Sequence, residues 1–228
     1  MVTFNASKTQ SLAVSLKKKS ESENLSMGGT TIENINSFNI LGVDISKSLK
    51  WRNHIVDVAK RASRRVSVLR KVRDFITAEH ALLLYKSQIR PVMECNRFLW
   101  ESAGNTYLKL LDNIEQRAFE IINNSLLVAR LDSLSHRQTV AGMCLFYRMF
   151  FGLCSKELGL LVPPAVHSLR STRQSSRQHP YVVAIPKYRL ELFKQSFIPR
   201  SSELWNKFSS YFFKDVKTLQ QFKCKINS

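Results

Sequence analysis

Apolar residues along the chain follow two periods, and the change between them falls near Trp51. Before it, spacing is short and interrupted. Residues 12–16 read as a brief strand, and 17–24 form a charged, serine-rich break. Gly28-Gly29 followed by Thr30-Thr31-Ile32 predicts a turn into a second strand. From Phe38 to Ile45 apolar side chains alternate, with Gly42 placed to form a bulge or a close backbone approach. The start therefore predicts a small antiparallel β element.

From Trp51 onward the period is helical. Ile55, Val58, Ala59, Ala62, Val66 and Leu69 recur at three- and four-residue steps, one stripe along a helix of about six turns. Lys60, Arg61, Arg64, Arg65 and Lys71 fall on the opposite face, Arg70 at its border, and Arg73 under the stripe where the helix should be ending. A second helix is expected after Thr77, with Glu79 and His80 in its first turn and a kink or break at Pro91. Residues 92–100 should continue as a buried helix. A third helix follows Asn105-Thr106, which resemble an N-cap, and a fourth covers about 135–153. Residues 167–178, rich in Ser, Arg and Gln, read as an exposed loop, and helical period returns at 201–213 and 216–226, with Phe208, Tyr211, Phe212 and Phe213 offering a docking face. The fold class is mainly α, a helical bundle behind a small β element. Its expected parts are 1–48 (β), 49–162 (helical), 163–199 (basic loop or linker) and 200–228 (C-terminal helices).

Composition adds a partner class. The chain of 228 residues carries 35 Lys and Arg against 17 Asp and Glu, a formal charge of +18, which attracts nucleic acid or an anionic membrane surface. The basic helix is amphipathic, but its Ala- and Val-rich stripe lacks exposed aromatics, which argues against membrane insertion. The longest apolar runs fall short of the roughly 20 residues of a membrane span. Asn5, Lys8 and Gln10 interrupt any secretory apolar core at the start. Cys95, Cys144, Cys154 and Cys224 form no CxxC pair, and the expectation is buried, reduced thiols in an intracellular protein without a zinc site. Phe146, Tyr147, Phe150 and Phe151 read as core, and His54 and His136 as ordinary helix residues.

Several stretches, in order, resemble the region downstream of the catalytic aspartates in non-LTR, jockey-like retrotransposon reverse transcriptases. Phe4-Asn5-Ala6-Ser7-Lys8-Thr9 resembles the N-x-x-K-T segment at the end of the palm (motif D), and Phe38-Asn39-Ile40-Leu41-Gly42-Val43 the f-k-x-L-G-v primer-grip hairpin (motif E). Leu49-Lys50-Trp51-Arg52 and its basic helix resemble the start of the thumb. Residues 88–100 resemble a P-v-x-e-y-x-x-x-x-W segment, with Cys95 where the family often has tyrosine. The stretch from Phe197-Ile198-Pro199 to Leu204-Trp205-Asn206 is similar to a C-terminal F-x-P-x-x-x-x-L-W-N signature.

The resemblance implies a thumb-like fragment of an RNA-directed DNA polymerase, with the fingers and most of the palm lying before Met1. Nucleotidyl transfer needs divalent metal held by carboxylates. The paired aspartates of the family are absent, so the chain alone is expected to have no cofactor, although the parent enzyme would use Mg²⁺. Asp44 is the only acid near the expected palm. Lys8 matches the motif D lysine, which lies close to the incoming triphosphate. Leu41 and Gly42 match the primer grip, where Leu41 and Val43 should pack into the palm–thumb junction. Lys60, Arg61, Arg64, Arg65 and Lys71, with Arg170, Arg173 and Arg177 in the loop, are the expected phosphate contacts, giving affinity without sequence reading. The partners expected are RNA, RNA·DNA hybrid or DNA duplex, and the missing polymerase portion. The rival reading is a non-enzymatic helical interaction protein with no nucleic-acid ligand.

Overall fold

The computed structural model describes residues 5–14, 24–100, 102–165 and 179–227. The helical stripe becomes the inner face of α1 (Arg52–Val72), where Ile55, Val58, Ala62, Val66 and Leu69 are buried. Past its end, Arg73 leaves the stripe. Its guanidinium donates to the carbonyls of Ile121 (2.9 Å), Ile122 (3.1 Å) and Ile76 (2.9 Å), so it closes the C-terminus of a neighbouring helix.

The N-terminal region forms three two-stranded pieces. β1 (Gln10–Ser11) pairs with β4 (Glu33–Asn34) in parallel, whereas β2 (Ser26–Met27) and β3 (Thr30–Thr31) are antiparallel across Gly28-Gly29. The purely antiparallel expectation is thereby corrected. None of these four strands buries a residue, so they lack the apolar face that would knit them into one sheet. The expected strand at 12–16 is displaced to Gln10–Ser11; Leu12, Ala13 and Val14 are not paired, and 15–16 lie outside the described residues. β5 (Ser37–Ile40) and β6 (Val43–Ser46) form an antiparallel hairpin. Gly42 is therefore a turn residue and not a bulge. Leu41 and Gly42 both have positive φ (50° and 81°), the twist that two-residue hairpin turns require.

α2 (Ala78–Leu84) begins after Thr77 as expected, and the Thr77 side chain caps it, accepting from the His80 amide. A π-helical segment, Tyr85–Ile89, then leads into α3 (Arg90–Glu94). Pro91, which has no N–H to give, sits in the first turn of α3, and the widened turn before it accommodates the break in the helical ladder. The buried helix expected over 92–100 is interrupted at Cys95-Asn96, where Asn96 is left-handed (φ 52°), before α4 (Arg97–Trp100). α5 (Asn105–Ile122) starts at Asn105 itself, behind Gly104 and without a side-chain cap, which corrects the expected Asn105-Thr106 N-cap. Short α6 (Ser125–Val128) follows, capped by Asn124, then α7 (Leu134–Phe150), capped by Ser133, and α8 (Lys156–Gly159).

One core lies among α1, α2, the π segment, α3 and α5. The second gathers Met143, Phe146 and Tyr147 of α7 with Val183, Trp205, Phe213 and Phe222. α7 reaches both, with Leu134 in the first. The described part of the expected linker is not wholly an exposed loop. His179, Val182 and Val183 are buried, and α9 (Glu191–Lys194) and the start of α10 (Phe197–Asn206) lie within it. α11 (Leu219–Asn227) completes the second core through Phe222. Pro199 is tolerated because it sits in the first turn of α10.

A buried polar network ties the helices together. Tyr85 donates to Glu115 Oε1 (2.6 Å), and Arg137 donates to Glu115 (2.8 Å) and Glu94 (2.6 Å), which also accepts from Arg90 (2.9 Å). Although burial works against its charge, the two carboxylates hold the Arg137 guanidinium above its ordinary value. Burial and the Glu115 carboxylate push the Tyr85 phenol up. Cys95 and Cys224 are exposed and Cys144 and Cys154 half-buried, all as free thiols, so the expectation of buried thiols is corrected. Among the described residues no helix is long and apolar enough to cross a membrane.

Candidate nucleic-acid interface

Burying one stripe of α1 against α5 turns the opposite face outward, and Lys60, Arg61, Arg64, Arg65 and Lys71 are all exposed there. They are not equivalent. Arg61 pairs with Asp57 one turn back (2.9 Å), and Arg65 donates to the Gln88 carbonyl of the π segment. Lys60 and Arg64 instead border a cavity of about 410 Å³ between α1 and α5, faced across the groove by Arg117. A second cavity of about 280 Å³ shares Ser63, Ile114 and Arg117 with the first and brings in Arg70 and Lys71. No acidic side chain lines either one.

The result is a continuous groove with cations on both walls and an apolar floor. Arg117 was not legible from the sequence, because α5 read only as an apolar stripe. Its position two helical turns after Leu110, which lines the same groove, is the one signal that could have found it.

The other candidates lie apart from this groove. Lys8 ends an exposed 3-10 turn (Ala6–Lys8) whose start is capped by the Asn5 side chain, and it lines neither cavity. Arg170, Arg173 and Arg177 lie outside the described residues. At the hairpin, Val43 is buried as expected, but Leu41 is 90% exposed, contrary to the junction role expected of it. Asn39 braces the turn, accepting from the Gly42 amide (3.2 Å) and donating to Asp44 (2.7 Å). Asp44 is more than a solvated strand end. Its amide donates to His54 Nδ1 (3.3 Å), and its carboxylate lies 3.5 Å from the same atom. His54 thereby fastens the hairpin to the first turn of α1. Burial lowers its pKa, with the Asp44 hydrogen bond opposing.

The aromatic residues divide differently from expectation. Phe146 and Tyr147 are core, Phe150 is half-buried and Phe151 exposed at its rim. Of the expected docking face, Phe213 is buried, Phe208 and Phe212 are half-buried, and only Tyr211 stands free of the core. The Leu204-Trp205-Asn206 segment does structural work. Trp205 is fully buried and donates to the Tyr181 carbonyl (2.7 Å), and the Asn206 amide bonds both the N–H and the C=O of Val183 (3.0 and 2.8 Å). His179 Nε2 donates to the Trp205 carbonyl (2.9 Å) while its Nδ1 accepts from Tyr181 N–H (3.2 Å).

Nucleotidyl transfer would need a carboxylate set for Mg²⁺, and among the described residues no group of three or more His, Cys, Asp or Glu side chains is placed to hold a metal ion. Comparison with protein-family models, with curated proteins and with solved structures finds no match for the chain.

Proposed function

We propose that this chain is a thumb-like fragment of a non-LTR retrotransposon reverse transcriptase that grips the sugar-phosphate backbone of an RNA·DNA hybrid or DNA duplex, without carrying out synthesis itself. The observation that carries the reading is the acid-free groove between α1 and α5, with Lys60, Arg64, Arg70, Lys71 and Arg117 along it. Charge of one sign over low-dielectric walls concentrates a polyanion, and phosphate contacts of this kind hold a duplex without reading its bases. The hairpin supports the same reading. An apolar residue in a left-handed turn and exposed to 90% is a local conflict that folding alone does not require, and contact with a partner at the Leu41 tip would account for it.

Arg61 and Arg65 already have partners within the protein, so the grip rests on Lys60, Arg64 and Arg117. Fluorescence anisotropy with a labelled RNA·DNA hybrid tests this. Replacing Lys60, Arg64 and Arg117 together by Gln should weaken binding roughly a hundredfold, whereas Arg61→Gln should change it little. Equal affinity of the triple variant and the parent would remove the groove as the interface.

A further inference from the structure

A second cationic cavity, remote from the α1–α5 groove in its lining, lies where the two cores meet. It has a volume of about 720 Å³ and is bordered by the π segment and α3 on one side, by α7 in the middle and by α11 on the other. Its size falls in the range of small-ligand sites.

The charges lining it sort into two groups. Arg90 and Arg137 are spent on Glu94 and Glu115 inside the protein and form an internally neutral, fixed floor. Lys86, Arg130, Arg148 and Lys223 also line the cavity, and none of them pairs with a carboxylate among the described residues, although Arg148 donates one N–H to the Leu153 carbonyl (3.3 Å) and keeps its charge uncompensated. The one acid left on the wall is Asp132, whose carbonyl accepts from Arg137. Cations from the π segment, the α6–α7 connection, α7 and α11 thus converge on one concavity, where these four outnumber the one remaining acid, Asp132. Val140 and Leu145 supply apolar wall between them, which strengthens the field inside. Lys86 lies within the π segment, a widened turn of a kind often found at functional sites.

We infer that this cavity is a binding site for a compact polyphosphate, a small carrier bearing several clustered phosphates, which clamps α11 to the body of the protein. A single phosphate engages only part of the cation set, whereas clustered phosphates reach cations on opposite walls at once. The site shares no lining residue with the nucleic-acid groove, so it stands or falls separately from that proposal.

Thermal denaturation and calorimetry of the full chain at roughly 150 mM salt, where exposed charges are screened beyond about 8 Å, provide the test. The probes are inositol hexakisphosphate, ATP and inorganic phosphate. The hexakisphosphate should raise the melting midpoint and bind with one-to-one stoichiometry, ATP should do so more weakly, and inorganic phosphate should do neither. Arg148→Gln with Lys223→Gln, both exposed side chains, should weaken hexakisphosphate binding roughly tenfold or more, and Arg130→Gln gives the same direction should the double variant not fold. Lys60→Gln with Arg64→Gln should leave it unchanged. No midpoint shift, undiminished binding by the Arg148 and Lys223 variant, or an equal loss in the Lys60 and Arg64 variant overturns the proposal. So does displacement of the hexakisphosphate by a short duplex in the Lys60 and Arg64 variant, which would make the cavity a nucleic-acid contact instead.

Discussion

His179 shows how one side chain fixes a segment that the sequence left as linker. With Nδ1 accepting from Tyr181 N–H and Nε2 donating to the Trp205 carbonyl, only the neutral ring satisfies both bonds. Burial lowers its pKa, opposed by the bond to Trp205, and His54 is lowered in the same way against Asp44. The unfolded chain titrates these rings near about 6.5. Above that pH neither state takes up the proton and the full stability is present. As pH falls below it, the unfolded chain binds protons that the folded chain refuses, and stability is lost. The melting midpoint should therefore drop between neutral pH and pH about 5, and His179→Gln should flatten that drop; an unchanged slope would exclude His179 as a contributor. Leu41 makes the opposite kind of case. Leu41→Asn puts an αL-tolerant residue before Gly42 and should stabilise the hairpin by about 1 kcal/mol in urea denaturation. The same variant should bind the hybrid more weakly if the exposed tip touches nucleic acid. A gain in stability with unaltered affinity would confine Leu41 to an accident of the turn.

At the scale of elements, the joints between helices are held by groups that no periodicity reveals. The Arg137, Glu94 and Glu115 network joins α3, α5 and α7, with Arg137 and Glu115 side chains only 9% and 8% exposed. Arg137→Met would leave the Glu115 carboxylate buried without its cation and should cost about 3–5 kcal/mol. Adding Glu115→Gln should recover part of that loss, and a double-mutant cycle in chemical denaturation measures it; strictly additive losses would mean the pair is not coupled. The inner stripe of α1 was legible from Ile55 to Leu69 except at Ala59, which lies half-buried at its edge, since burial there follows from a 3.6-residue period. The start of α2 after Thr77 was also legible locally. The π segment before Pro91, the left-handed stop at Asn96 and the partners of Arg61 and Arg65 were not. Each depends on which segment lies opposite, and the Gln88 carbonyl meets Arg65 only after α1 and the π segment have docked. The candidate interface was legible as a face, but the fold decided which cations on it remain available.

Across the whole molecule the charge of +18 complicates any simple reading of affinity. A chain so basic attracts a duplex at low salt from many directions, and where that diffuse attraction alone acts, removing a few cations would lower it only slightly. A built groove differs in how its binding responds to salt. Each phosphate neutralised by a fixed cation releases condensed counterions and steepens the fall of log affinity with log salt by about 0.9 on a B-form duplex. If Lys60, Arg64 and Arg117 each hold a phosphate, replacing all three by Gln should make that slope shallower by nearly three such increments. Replacing three exposed cations away from the groove, such as Lys207, Lys214 and Lys217, removes the same formal charge and should leave the slope nearly unchanged. Anisotropy titrations over a series of salt concentrations separate the two cases. Parallel slopes for both triple variants would mean that the duplex sees only diffuse charge, and the groove between α1 and α5 would then have no claim to be an interface.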